Sequence, residues 1–178
     1  MSIDLYIIPA SPTIITPDKL KESFVSNLLA TDRSLLEAGF HIIELGPNKI
    51  TDGQTLKLGG VYYFEMSIPN TLSVHVVSKE LQLEFQQNLE EDILEDYGWN
   101  LKSEAILKIV SIFKKVDHYY CITTHGGRSK AEPNLFLVLA KAIAISSSGY
   151  IVVMNNDILD LGVGVYTYDE FLFTKPRF

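Results

Sequence analysis

The chain is poor in the residues that usually announce chemistry. It has one cysteine, one tryptophan and four histidines in 178 residues. A single cysteine excludes an internal disulfide framework and a cysteine-rich zinc site. No stretch approaches the ~20 consecutive apolar residues that a membrane helix needs. The opening "MSIDLYIIPASP" has no basic segment before its short apolar run, so no secretory signal is expected. The phosphate-loop pattern and the dinucleotide fingerprint are both missing. The histidines lie too far apart for a helical zinc motif. His41 and His75 fall in strand-like runs and His118 starts one, so hydrogen-bonded core or surface histidines are expected. These absences lead to the expectation of a cytoplasmic protein with no metal, no cofactor and no strong catalytic signature.

One further absence is local. Glu80 to Asp96 contains no lysine or arginine, but it holds Glu80, Glu84, Glu90, Glu91, Asp92, Glu95 and Asp96. The other 15 acidic residues match the 15 basic ones, so the whole net charge of −7 belongs to this segment. An acidic balance disfavours nonspecific contact with nucleic acid or an anionic membrane. The segment reads as a helix, because Leu81, Phe85, Leu89, Ile93 and Tyr97 recur every four residues. Like charges at i,i+4 cost helix stability, and an ordinary exposed helix mixes signs. Calcium loops space their oxygens around an obligatory glycine, which is missing here. Two readings stay open: a solvated face, or an acidic docking surface for a basic partner. The docking reading places the contact on Glu84, Glu91, Asp92, Glu95 and Asp96, with Tyr97 and Trp99 as aromatic anchors.

What is present points to an α/β (α+β) fold in one domain spanning residues 1–178. Nearly half of the residues are apolar, enough for a substantial core. Ile3–Ile8 reads as a strand stopped by Pro9. Thr16 reads as an N-cap ahead of Pro17 and Asp18, and Leu20, Phe24 and Leu28 give that helix one buried face. A second helical piece is expected through Leu35 and Leu36 to Gly39. Phe40–Leu45, Val61–Ser67 and Ser73–Ser78 suggest an antiparallel meander. A helix is expected from Leu101 to Val116, with Ile106, Ile109, Val110 and Phe113 on its buried face. His118–Thr124, an apolar helix around Leu135–Ile145 and Tyr150–Met154 suggest a βαβ unit. A glycine-loosened strand and a short helix capped by Thr167 follow. The expected sheet is mixed: an antiparallel meander, a C-terminal βαβ unit, and flanking helices.

The loop "CITTHGGRSKAEP" (Cys121–Pro133) has features of an anion site. Gly126 and Gly127 let amides point inward, Arg128 and Lys130 bring charge, and Ser129 precedes a helix N-terminus. Turn and cap chemistry explains the same residues, since Ser129 and Glu132 have capping-box spacing. Cys121 inside the strand run is expected to be a buried structural thiol.

The stretches "LAKAIAISSSGYIVVMNND" (Leu139–Asp157) and "VYTYDEFL" (Val165–Leu172) resemble small bacterial immunity proteins. Those proteins are the cognate inhibitors of polymorphic or contact-dependent growth inhibition toxins. The resemblance covers a third of the chain, and its motifs are structural, so it transfers no functional residue. It implies a non-enzymatic antitoxin that binds one toxin domain, such as a basic nuclease, and blocks its active site. The alternative from another class is a small enzyme or nucleotide- or anion-binding domain that uses the Gly126–Lys130 loop. The sequence does not indicate the oligomeric state.

Overall fold

Proline-bounded apolar runs and capped periodic segments become the elements of the fold. A computed structural model describes residues 3–28, 41–44, 55–65, 72–78, 87, 107, 111–112, 114–124, 132–154, 159–162 and 164–175. In chain order the elements are β1 (Ile3–Ile8), α1 (Pro17–Asn27), β2 (His41–Glu44), β3 (Val61–Glu65), β4 (Ser73–Ser78), β5 (His118–Thr124), α2 (Glu132–Ser147), β6 (Tyr150–Val153), β7 (Gly164–Tyr166) and α3 (Tyr168–Phe171). The expected piece through Leu35, Leu36 and Gly39 lies outside the described residues. So do most of the two helices expected within 81–116. Gln87 and Leu107, both off the expected apolar stripes, are helical and exposed.

Local chemistry accounts for the helix ends. Thr16 accepts a hydrogen bond from the Lys19 amide at 3.3 Å and starts α1, with Pro17 in the first turn, where its missing N–H costs nothing. Leu20 and Phe24 on that helix are fully buried. Thr167 and Glu170 form a capping box that starts α3. Helix α2 ends where Ser148 takes a left-handed φ of 50°. The Ser148 amide then bonds the Ile145 carbonyl, and the Gly149 amide bonds the Ala144 carbonyl. This is a Schellman cap with serine, not glycine, in the left-handed position. Glycine comes one residue later because a Cβ at 149 would lie 2.7 Å from the Ile8 carbonyl oxygen.

The strands form one open sheet of order β2-β3-β4-β5-β1-β6-β7. Strands β2, β3 and β4 make the expected meander, and β5 continues it. The expected crossover is present, since β5 and β6 run in the same direction on either side of α2. They are not neighbours, however. Strand β1 lies between them and pairs antiparallel with both. Among the described strands every hydrogen-bonded pair is therefore antiparallel, which corrects the expected mixed ladder. A crossover helix requires parallel strands but not adjacent ones. Leaving room for one strand, about 10 Å between β5 and β6, admits β1. That strand suits the centre because Leu5 and Ile7 are buried on one face and Ile8 on the other.

Helices α1 and α2 cover one face. They pack on Leu5, Ile7, Tyr62, Phe64, Val74, Val76, Tyr120, Ile122 and Ile151. The two helices touch through small polar residues, where the buried Ser146 hydroxyl donates to the Ser23 hydroxyl at 2.9 Å. The other face carries a second cluster of Ile8, Val116, Tyr119 and Val152, with Tyr6, Val77 and Cys121 at its margin. Both faces of β6 are thus covered, as its continuous apolar run implies.

Candidate functional site

The expected partner-binding residues Glu84, Glu91, Asp92, Glu95, Asp96, Tyr97 and Trp99 lie outside the described residues. So do Gly126, Gly127, Arg128, Ser129 and Lys130 of the alternative anion loop. The described residues establish where both segments are attached. The acid-rich excursion leaves β4 after Ser78 and returns at His118, and these two residues are paired in the sheet. Its returning end packs Ile112 and Val116 onto the second face. The glycine loop joins the far end of β5 to the start of α2.

The root of the excursion is held by a directional hydrogen-bond chain. The Ile15 amide donates to the Tyr120 hydroxyl at 3.1 Å. The Tyr120 oxygen lies 3.1 Å from His118 Nε2, and His118 Nδ1 lies 2.8 Å from an Asp117 carboxylate oxygen. The Asp117 carboxylate can only accept, so His118 Nδ1 carries the proton between them. In the neutral ring Nε2 is then the acceptor, and the Tyr120 hydroxyl donates to it, which assigns the tautomer. His118 is fully buried, in keeping with the expected hydrogen-bonded core histidine. An aspartate–histidine–tyrosine series could relay a proton, but Tyr120 has no exposed surface on which to meet a substrate. Burial also raises its phenol well above the ordinary value. The chain acts as a strut that ties the segment after β1 to β5.

The only cysteine faces the second side of the sheet. Burial pushes the Cys121 thiol up to about 12, a rise that its contact with the Thr123 hydroxyl opposes. Such a thiol is protonated at neutral pH and is a poor nucleophile. Its cross-strand neighbour is His75, paired with it in the β4–β5 register. Sequence spacing does not reveal this neighbour, because strand pairing is not encoded in spacing. Among the described residues, no group of three or more His, Cys, Asp or Glu side chains could hold a metal ion. No helix among them is long and apolar enough to cross a membrane.

One open groove of about 400 Å³ lies where α2 ends and α3 begins. Its walls include Ile145, Ser148, Tyr150, Tyr168 and Asp169. Strand β7 delivers α3 there, because Tyr166 pairs with Ile151 next to the start of β6. The sequence signalled the Thr167 cap, but not that it meets the end of α2. Comparison of the chain with protein-family models, curated proteins and solved structures finds no match.

Proposed function

We propose that this chain is a non-catalytic binding protein of the immunity type, which associates with a basic toxin domain, such as a nuclease, and blocks its active site. The observation that carries this reading is the charge distribution. The entire net charge of −7 lies within residues 80–96, between two strands that are hydrogen-bonded to each other. An excursion rooted on adjacent strands can be elaborated without disturbing the sheet, as surface segments that carry function commonly are. Seven carboxylates without an interspersed cation would steer a basic partner and raise its association rate, while a few buried aromatics supply most of the affinity. Glu84, Glu91, Asp92, Glu95 and Asp96 are assigned the steering, and Tyr97 and Trp99 the anchoring.

The test is a triple reversal of Glu91, Glu95 and Asp96 to lysine. Wild type and variant are titrated against the protein encoded immediately upstream, at two salt concentrations. The expected result is an on-rate at least about tenfold lower at low salt, with a flattened salt dependence. An unchanged affinity together with an unchanged salt dependence removes this segment from the interface.

A further inference from the structure

The groove between α2 and α3 combines a built shape with one sign of charge. It opens at the same end of the sheet as the roots of the acidic excursion. Tyr150 pairs with Ile8, and Ile7 pairs with Tyr120, so the first residues of β6 and β5 share that end, about 10 Å apart across β1. Helix α2 runs for 16 residues and points its C-terminus at the groove. The aligned peptide dipoles leave about half a negative charge there. Asp169 adds a full carboxylate from the opposite wall, and its side chain is exposed. Among the described residues that line the groove there is no lysine, arginine or histidine.

The walls also suit a flat cation. Tyr168 borders the space from the helix-covered side of the sheet. The Tyr168 ring is held in place by its hydroxyl, which donates to Asn27 Oδ1 at 3.1 Å. Ser148 presents an exposed side chain from a left-handed backbone that L-residues other than glycine seldom adopt. Strain of this kind persists where the surroundings impose it, and it is common at ligand sites. A guanidinium offers five donors in a rigid plane and stacks on aromatic faces, whereas an ammonium is a compact, strongly hydrated charge.

We propose that the groove lined by Ser148, Tyr150, Tyr168 and Asp169 receives an arginine side chain of the basic protein partner. This rests on the binding reading above and adds a second contact to it, separate from residues 80–96. The carboxylate and the hydroxyl accept from the guanidinium, the helix terminus favours its charge, and the Tyr168 ring bounds its plane.

The experiment titrates the full, ¹⁵N-labelled chain with N-acetyl-arginine N-methylamide and follows its amide resonances. A saturable shift confined to Ser148–Tyr150 and Thr167–Asp169 is expected, with a Kd on the order of 1–10 mM for so small a ligand. The neutral citrulline analogue should bind at least about tenfold more weakly, and Asp169→Asn should weaken arginine about three- to tenfold. The absence of a saturable shift up to about 50 mM overturns the proposal, as does equal binding of citrulline. Tighter binding of spermidine than of arginine overturns it as well, because the site would then select charge and not a guanidinium. A parallel titration with the upstream-encoded protein separates the two readings. If that protein binds the wild type in a salt-dependent way but arginine does not bind, only the groove is lost. If arginine binds and the protein does not, the immunity reading fails and the groove remains an arginine site.

Discussion

Replacing Tyr120 with phenylalanine deletes one oxygen and leaves two polar groups without their partner. The Ile15 amide loses its acceptor, and His118 Nε2 loses its donor. Both residues are buried, so water does not readily replace the hydroxyl. An orphaned buried group costs about 1–3 kcal/mol, which puts the loss at about 2–4 kcal/mol after partial relaxation. For a chain of this size each kcal/mol lowers Tm by about 2–4 °C, so a fall on the order of 5–15 °C is expected. Urea unfolding at pH 7 with an unchanged m-value would show that the loss arises in the folded state. The double variant His118→Leu/Tyr120→Phe removes the donor and the acceptor together, and its loss should fall short of the sum of the two singles by about 1 kcal/mol or more. Nitrogen-detected spectra of His118 should show the proton on Nδ1. A loss below about 0.5 kcal/mol, or strict additivity, would refute the strut, because the hydroxyl would then be replaceable at no cost.

Other consequences concern the helix cap and the cysteine. Ser148→Gly should stabilise the fold by about 0.5–1 kcal/mol in thermal unfolding, since glycine tolerates the left-handed backbone that serine occupies under strain. Gly149→Ala should do the opposite, by about 1–3 kcal/mol, because the added methyl meets the Ile8 carbonyl oxygen. For Cys121, burial favours the neutral thiol and raises its folded value to about 12. The unfolded thiol loses its proton first, near its ordinary value, so the unfolded state binds fewer protons over that interval. The stability contributed by this group is therefore complete below the unfolded value and is lost as pH rises toward about 12. Cys121→Ala should flatten that alkaline slope, and alkylation of native protein at pH 8 should be at least about 100-fold slower than that of free cysteine. Rapid alkylation without unfolding would show that the thiol is open to solvent.

Features that depend on a few neighbouring residues were legible without a structure. The Thr16 and Thr167 caps, the buried face of α1 through Leu20 and Phe24, and the bounds of β5 all follow from short spacings, because the groups that satisfy each other are three or four residues apart. The alternation that puts Tyr62 and Phe64 inward and Tyr63 outward is equally local, since successive side chains of a strand point to opposite faces. The concentration of net charge in residues 80–96 is a property of composition and needs no fold at all.

Tertiary structure decided which elements meet. An apolar run such as Tyr150–Met154 signals cover on both faces but says nothing about the direction of its neighbours. The sequence therefore could not tell that β1 would enter between β5 and β6 and make every ladder among the described strands antiparallel. The same limit hid the pairing of Cys121 with His75 and the bond from the Ile15 amide to Tyr120, groups 105 positions apart in the chain. It also hid the groove, because the end of α2 and the threonine cap of α3 are local features that only the β6–β7 pairing brings face to face. Hydrophobic patterning determines how much of each element is buried. The register of a sheet depends on the packing of all its strands at once, and only the assembled fold resolves it.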